Sequence, residues 1–378
     1  MKTLLTITML FLFTTISVAQ ANYPVQDRSI KVLPVVVHVL FENDIFDIPD
    51  SDIQQLITQV NLDFRRQGAD TINTPDAFKP VAADTEIEFV LASTDPNGGN
   101  TSGITHTHAT FPWDPSSVNL QLMKFDSSGG KSAWDTEHYV NVWIMTAGII
   151  EGSYSTSPSE HGKPKDGVVV FNFLGTEFTA ERLTHELGHY LGLRHPYGFN
   201  GCSLTPGGND GLTDTPDQFQ SSAFLAPDDS CLVFPTTDAC SPNFPGIMFM
   251  NYMDDTYAGC ANLFTQQQAG MMNHTLEFIR YSLMEPSSAT SSFLPKNAGI
   301  KTYPNPVQDY VNVTWSNPSL GLRQYRLYDQ FGRLVMTSTS EGQAVGNDGI
   351  YVPTLPTGVY LLCAKAGDIS FFSKIVKL

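Results

Sequence analysis

Apolar positions along the first part of the chain change between strand and helix spacing. Lys31–Phe41 is a Val-rich apolar run bounded by polar residues, which predicts a buried strand. Apolar residues then recur at intervals of three and four, which predicts an amphipathic helix capped by Asp50 or Ser51; they are Ile53, Leu56, Ile57, Val60 and Phe64. Further apolar runs predict strands at 85–91, 139–145 and 167–173. This pattern indicates an α/β (α+β) fold, with a sheet layered against helices.

A linker and a change in spacing divide the chain. Residues 286–292 have the sequence Pro-Ser-Ser-Ala-Thr-Ser-Ser, a stretch of small residues typical of a hinge between domains. Beyond it, apolar and polar positions alternate with a period of two at 310–315, 325–328, 333–336, 358–363 and 371–376. Short strands at this density predict a small β-sandwich. We therefore expect a body at 20–285, a linker at 286–298 and a C-terminal β-sandwich at 299–378.

The first residues have the pattern of a signal peptide. Lys2 precedes an apolar run at 4–18, and the small residues Ser17 and Ala19 form a cleavage site before Gln20. The run is shorter than the roughly 20 apolar residues that span a bilayer, which disfavours a membrane anchor. We therefore expect residues 1–19 to be removed and the chain to be exported, where disulfides can form. No later apolar run is as long, so the sequence predicts no transmembrane segment.

The charge of the chain argues against one class of partner. The 378 residues include 21 Lys and Arg against 38 Asp and Glu, which gives a formal net charge of −17. A chain with this charge repels phosphate backbones, so nucleic acid is not expected as a partner. Hydrophobic residues make up 41% of the chain, enough for sizeable cores in two or three globular domains.

One predicted helix carries the candidate chemistry, with Thr179 as its expected cap. At about 100° per residue, His185 and His189 lie together on one side of the helix. The opposite side is apolar, with Leu183, Leu187, Tyr190 and Leu191. Because residues four apart are neighbours on successive turns, both imidazoles can bind one zinc ion. Glu186 can take a proton from a water molecule held by the zinc and pass it to a leaving amine, which is the chemistry of amide hydrolysis.

Two more residues complete the expected metal site. Gly192 lets the chain leave the helix with a positive φ, and the turn brings His195 back as a third ligand. The fourth position then remains for water. The spacing His-Glu-x-x-His-x-x-Gly-x-x-His at 185–195 has five fixed positions and is specific, whereas two histidines on a helix would be a weak signal. The alternative is a core helix whose histidines form internal hydrogen bonds.

The long motif belongs to the metzincin metalloproteases, and the residues around it resemble the pappalysin family. Asn-Tyr-Met-Asp at 251–254, Cys-Ala-Asn-Leu-Phe-Thr at 260–265 and Asp-Thr-Pro at 214–216 resemble segments of that family too. The resemblance implies a metzincin-like catalytic domain with a zinc helix and a Met-turn, in which Met253 is an apolar floor beneath the metal. It also implies a secreted zinc endopeptidase that acts on proteins or peptides.

The sequence departs from the family at two positions. Asp255 stands where the family usually has a tyrosine that supports the oxyanion, and Gly259 stands where relatives that prefer basic side chains have an acidic residue. The departure at Asp255 favours, as the alternative function, a catalytically inactive surface binding protein or adhesin that retains the fold. A zinc amidase with a non-peptide substrate is a second alternative. We expect the endopeptidase, as a monomer, with an extended substrate paired along an exposed sheet edge.

Four cysteines of the body can form two disulfides in three different pairings; they are Cys202, Cys231, Cys240 and Cys260. The resemblance to the pappalysins favours Cys202 with Cys231 and Cys240 with Cys260. Either bridge would close a loop of about 20 to 30 residues and stabilise the fold by roughly 3 to 4 kcal/mol.

Oxygen-bearing residues cluster in the loop after the third histidine. Asp210, Asp214, Thr215 and Asp217 could supply the hard oxygen ligands that calcium prefers. The family has calcium here, which makes Asp210, Thr215 and Asp217 the expected ligands. An ordinary solvated acidic turn is the alternative.

His106 and His108 are two apart and would share one face of a strand. Metal binding by this pair is conceivable from the spacing. A solvated edge strand is the favoured interpretation of the pair.

The C-terminal segment carries its own signature. Tyr-Pro-Asn-Pro at 303–306, Leu-Pro-Thr-Gly-Val-Tyr at 355–360 and Lys-Ile-Val-Lys at 374–377 resemble the sorting domain of the type IX (Por) secretion system of Bacteroidota. The resemblance implies that the type IX machinery is a partner and that the protein is secreted or attached to the outer cell surface. The alternative is a substrate-binding module. Cys363 lies within a strand pattern and is expected to be a buried free thiol.

Overall fold

The structure is a computed structural model that describes residues 30–110, 121–146, 153–172, 180–197, 202, 210–226, 230–257, 259–284, 300–315, 323–328, 334–340, 347–366 and 369–378. The expected signal peptide, the expected linker and the expected helix cap Thr179 lie outside these ranges. Each helix in these ranges is too short or too polar to span a bilayer.

The described part of the body contains three α-helices and eight strands. The helices are α1 (Asp50–Phe64), α2 (Ala180–Tyr190) and α3 (Gln266–Phe278). The strands are β1 (Lys31–Phe41), β2 (Ala82–Ala83), β3 (Ile87–Leu91), β4 (Ile104–His108), β5 (Val140–Thr146), β6 (Tyr154–Ser155), β7 (Val168–Asn172) and β8 (Phe264–Thr265). The four strands predicted in the body are therefore present, with ends shifted by at most two residues.

A mostly parallel sheet organises the body. β1 pairs with β3 through its first half and with β4 through its second half, while β5 pairs along its other side. β7 follows β5 in parallel, and β6 closes this edge in the antiparallel direction. Strands such as β1 and β5 are buried on both faces, which explains their near-continuous apolar sequence. β2 and β8 form a separate two-stranded ladder.

Helix α1 confirms the periodicity but not the predicted cap. All five of its predicted apolar positions are buried. The helix begins at Asp50, after Pro49, and no side chain caps its first N–H groups. The Asp50 carboxylate instead lies 2.7 Å from Nε2 of His106 on β4, so the expected cap was wrong because this side chain has a tertiary partner.

The sequence analysis missed helix α3. Its N-terminus is a capping box, in which the Thr265 hydroxyl accepts from the Gln268 N–H and the Gln268 side chain accepts from the Thr265 N–H. This Thr-x-x-Gln pattern was the signal that could have located the helix. All three helices contribute to one core with β1, β3, β5 and β7.

A buried ion pair joins the segment before β7 to the segment after α3. Arg280 donates to both carboxylate oxygens of Asp166, at 2.5 and 3.0 Å, and both side chains are fully buried. Arg280 also donates to the Tyr190 carbonyl oxygen at 3.0 Å and lies 3.5 Å from the centre of the Tyr190 ring. The guanidinium therefore fixes the C-terminal end of α2 relative to β7 and α3.

The C-terminal strands form two antiparallel sheets. The strands are β9 (Ile300–Tyr303), β10 (Tyr310–Trp315), β11 (Arg323–Tyr328), β12 (Leu334–Ser340), β13 (Asn347–Tyr351), β14 (Gly358–Ala366) and β15 (Ile369–Lys377). The sheet orders are β13-β10-β9 and β12-β11-β14-β15. Side chains from both sheets share one apolar core, as the period-two pattern predicts. Cys363 is a buried free thiol, which confirms that prediction.

The four body cysteines form two disulfides, but the pairing expected from the family was wrong. Cys202 pairs with Cys240 and Cys231 pairs with Cys260, with Cα–Cα distances of 5.0 and 5.4 Å. The sequence separations allow all three pairings, and two hydrogen bonds fix the surroundings of Cys240. The Phe219 N–H donates to Asp238, and Ser241 donates to the Asp217 carbonyl oxygen. These contacts hold Cys240 beside the segment at 217–219.

We expect peptide mapping to recover the Cys202–Cys240 and Cys231–Cys260 bridges. The measurement is mass spectrometry of a non-reduced digest, with alkylation at low pH to prevent disulfide exchange. A reduced digest of the same sample is the control. Recovery of a peptide that joins Cys202 to Cys231 would contradict the observed arrangement.

We expect Arg280→Met to destabilise the body by about 3–5 kcal/mol at neutral pH, because it leaves the buried Asp166 carboxylate without its cation. Lys79→Met, which breaks an exposed pair with Asp76, should change stability little. Both are measured by urea unfolding.

The loss in Arg280→Met should shrink as the pH falls, because protonation removes the unpaired charge of Asp166 in the variant. Burial alone would raise the pKa of Asp166, but hydrogen bonds from His161 and Arg280 outweigh it and hold that pKa below its usual value. The stability that this pair contributes is therefore present above the ordinary aspartate pKa and is lost as the pH falls through the lowered one. A pH-independent difference between the two proteins would contradict this account.

Candidate metal centre

Helix α2 presents its polar face to the candidate site. Leu183, Leu187 and Tyr190 are buried in the core on one side of the helix. His185 and His189 project from the other side, as their spacing predicts, with ring centres 4.6 Å apart. The Thr184 hydroxyl donates to Asp63 of α1 at 2.7 Å, which anchors this part of the helix.

Three histidine nitrogens converge on one point. Nε2 of His195 lies 3.1 Å from Nε2 of His185 and 2.9 Å from Nε2 of His189. The chain reaches this position because Gly192 has a φ of 95°, which confirms the positive φ predicted for it. Ligand atoms this close together can hold a metal ion.

The rings of the first two histidines are oriented by main-chain carbonyl groups. Nδ1 of His185 donates to the Tyr252 carbonyl oxygen at 2.7 Å, and Nδ1 of His189 donates to the Leu193 carbonyl oxygen at 3.0 Å. These bonds place the proton on Nδ1 and leave the lone pair of Nε2 for a metal. Burial lowers the pKa of both rings to about 4, so both are neutral at neutral pH.

Glu186 adds a buried carboxylate to helix α2 between the two histidines. Its side chain is only 7% exposed, and Oε2 contacts no hydrogen-bond donor among the described residues. Burial, with a smaller contribution from the charge of Asp255, raises the pKa of Glu186 to about 8. A buried carboxylate oxygen without a partner is costly, which is typical of a group that acts on a bound molecule.

A turn at residues 251–254 packs beneath α2. Asn251 exchanges two side-chain hydrogen bonds with Gln268 of α3, at 2.8 and 2.9 Å, and also accepts from the Met253 N–H. Met253 is fully buried, and its sulfur lies directly against Gly188 of α2. Only a glycine at position 188 allows this close approach.

Two residues beside the histidines were not predicted to take part in the site. Oδ1 of Asp255 lies 3.8 Å from Nε2 of His185, and Asp255 accepts a hydrogen bond from the Tyr197 hydroxyl. The Tyr197 ring stacks on His195, with ring centres 4.6 Å apart and an interplanar angle of 21°. Neither residue belongs to the histidine motif, and no spacing rule connects Asp255 to Tyr197.

The residues predicted to bind calcium are partly brought together. Asp210 is buried, and it accepts hydrogen bonds from the Thr215 hydroxyl at 2.6 Å and from the Leu212 N–H at 3.0 Å. Burial, with the charges of Asp214 and Asp217 adding, raises the pKa of Asp210 to about 6. Asp214 itself accepts from Thr265 and from the Gln267 N–H at the start of α3. Its carboxylate therefore stabilises that helix terminus.

The histidine pair on β4 follows the favoured interpretation. β4 pairs with β1 in the described sheet, and both His106 and His108 are exposed. His106 lies between two carboxylates, with Nδ1 2.6 Å from Asp47 and Nε2 2.7 Å from Asp50. This strand is a solvated part of the sheet edge.

Comparison with known proteins agrees with this geometry. Residues 125–277 match the model of the peptidase family described as pregnancy-associated plasma protein-A. Mature mirolysin of Tannerella forsythia, solved with a cleaved peptide, is 37% identical with a TM-score of 0.61, and the match covers 68% of this chain and 97% of mirolysin. The chain belongs to the pappalysin family. Promirolysin matches with a TM-score of 0.60 at 37% identity, over 68% of this chain and 84% of that one.

Similar fungal proteins support the family assignment, and a separate match covers the C-terminal segment. An extracellular metalloprotease of the fungus Arthroderma otae is 26% identical over 233 residues, which are 55% of this chain and 82% of the relative. Residues 301–378 match the model of the secretion system C-terminal sorting domain. The pappalysin-family chain is thus a metallopeptidase of mixed α/β fold, and its sorting domain indicates type IX secretion to an extracellular or surface location. Membership of this metalloprotease family implies zinc.

We expect Gly188→Ala to destabilise the body by about 1–3 kcal/mol, because the new Cβ collides with the Met253 sulfur. The displaced turn carries the Tyr252 carbonyl group, so bound zinc should also fall in a metal analysis of the purified protein. Gly270→Ala is the matched control, since a Cβ there meets nothing within 4 Å and alanine favours the helix by up to about 1 kcal/mol. Equal stability and zinc content in Gly188→Ala and wild type would contradict the packing argument.

Proposed function

We propose that this chain is a secreted zinc endopeptidase in which His185, His189 and His195 hold the metal and Glu186 is the catalytic base. One observation carries the proposal. Three Nε2 atoms converge on one point, and Glu186, next to His185 in the chain, has a buried carboxylate oxygen without a partner among the described residues. A core helix with internally bonded histidines would instead satisfy these groups with protein partners.

The residues present fit a catalytic zinc site. Three neutral imidazoles are a common protein ligand set of zinc in enzymes, and such a site keeps one position open. Bound zinc supplies Lewis-acid activation of water and of the scissile carbonyl group. We place Met253 as the apolar floor of this site, since it is buried and packs against α2 at Gly188.

Glu186 performs the proton transfers. Its carboxylate takes a proton from the attacking water and delivers it to the nitrogen of the leaving amine. A raised pKa suits both steps, because the group must hold the proton between them. The peptide bond gains a water molecule, and a carboxylic acid and an amine leave the site.

The substrate lies along the edge of the sheet at β6. This strand pairs antiparallel with β7 at one edge of the sheet and packs against α2, the helix that carries His185 and His189. An extended peptide can form main-chain hydrogen bonds with such an edge. The cleaved peptide in the mirolysin structure is consistent with a peptide substrate for a protein of this fold.

The organisation of the chain follows from this assignment. We propose a signal peptide at 1–19, the catalytic domain at 20–285, a linker at 286–298 and the sorting domain at 299–378, with the type IX machinery as partner. We also keep the proposal of a structural calcium site at Asp210, Thr215 and Asp217. The contact between Asp210 and Thr215 and the proximity of the Asp217 charge support it.

We expect Glu186→Gln to lower casein cleavage by at least about 10²-fold while zinc content remains unchanged, since the substitution removes the base and leaves the ligands. Cleavage is followed with labelled casein, and zinc by metal analysis of the same samples. Glu277→Gln on α3, whose carboxylate pairs weakly with Lys31 at 3.6 Å, is the control and should retain activity. If the wild type is as inert as Glu186→Gln, the inactive binding protein is the correct function. Activity confined to small amides would indicate the zinc amidase.

A further inference from the structure

The third histidine is held differently from the other two. His185 and His189 each donate from Nδ1 to a main-chain carbonyl oxygen. No described residue forms a hydrogen bond with Nδ1 of His195, which lies beyond the helix on the turn after Gly192. Its ring is instead covered by Tyr197, which stacks on it at 4.6 Å and nearly parallel. The orientation of His195 therefore depends on what holds Tyr197.

Asp255 holds Tyr197. The tyrosine hydroxyl donates to Oδ2 of Asp255, which connects the turn that carries His195 to the segment that follows Met253. The main chain at Asp255 is fixed in turn, because its carbonyl oxygen accepts from the Ala223 N–H at 2.9 Å. The preceding Asp254 is buried and accepts hydrogen bonds from Ser222 and Gln218.

The second carboxylate oxygen of Asp255 faces the metal site. Oδ1 lies 3.8 Å from Nε2 of His185, on the side where the three nitrogens meet. A negative charge at this distance favours a divalent cation among the three imidazoles. Since the phenol hydrogen of Tyr197 is already donated to Asp255, Tyr197 is not a free donor for a reacting oxygen. Its contact with His195 makes it a positioning residue.

We propose that Tyr197 and Asp255 form a positioning clasp that sets the third zinc ligand. Asp255 orients Tyr197, Tyr197 holds the His195 ring in ligand geometry, and the Asp255 charge strengthens metal binding. The inference rests on the proposed zinc site and deepens it. Groups that orient ligands in this way typically change metal affinity by about 10–100-fold.

The test measures zinc affinity of the purified chain by competition with a chromophoric chelator. Tyr197→Phe keeps the stacked ring and removes the hydrogen bond, while Asp255→Asn keeps the shape and removes the charge. We expect both variants to bind zinc at least about tenfold more weakly than wild type. In the double variant, the fold-loss of zinc affinity should be at least about three times smaller than the product of the two single fold-losses. The losses overlap because the two residues act through one contact.

A second measurement separates positioning from general destabilisation. The absorption spectrum of the cobalt-substituted protein reports ligand geometry, so both variants should shift its visible bands. Tyr139→Phe, which loses the hydroxyl bond to the Thr94 carbonyl oxygen, and Asp84→Asn, which breaks an exposed pair with Arg65, are the matched controls. Neither control should change the affinity or the spectrum.

Three results would overturn the clasp. Zinc affinity within twofold of wild type in Tyr197→Phe, fully additive losses in the double variant, or an unchanged cobalt spectrum in both variants would each do so. If Asp255→Asn does not fold, Tyr197→Phe decides alone. If the wild type cleaves casein and binds zinc, and the variants bind zinc equally well, only the clasp is refuted. A wild type that binds no zinc refutes the proposed function as well.

Discussion

The site depends on three imidazole nitrogens that lie about one hydrogen-bond length apart. Such nitrogens can share one point only if none of the three carries a proton there. The structure meets this condition with carbonyl groups that take the Nδ1 protons of His185 and His189, and with burial that disfavours the charged rings. Those carbonyl groups belong to the turn at residues 251–254 and to the segment after α2. Both segments must therefore keep a fixed position relative to α2.

A few buried polar contacts fix these relative positions. Arg280 and Asp166 fix the end of α2, Thr184 and Asp63 fix its middle, and Asn251 with Gln268 fixes the turn beneath it. Each contact joins elements that are far apart in sequence. Apolar packing alone would allow α2 to slide along the sheet, whereas directional hydrogen bonds between buried groups allow one position.

A carboxylate outside the histidine motif lies beside the candidate metal centre. A carboxylate at Asp255 changes the field around the histidines, since it stabilises a cation and disfavours a second negative charge nearby. The structure shows that this carboxylate is not isolated, because Tyr197 donates to it and stacks on His195. Tyr197 and Asp255 thus form a contact that the motif at residues 185–195 does not contain.

Local spacing determined much of this protein. The period of α1, the strands β1 and β10, the two-histidine face of α2 and the positive φ of Gly192 each depend on interactions within a few residues. Only the tertiary structure decided the order of the strands, the disulfide pairing, the partner of Asp50 and the meeting of Tyr197 with Asp255. Those features join segments separated by tens of residues, and their choice depends on which surfaces pack together, which no local periodicity records.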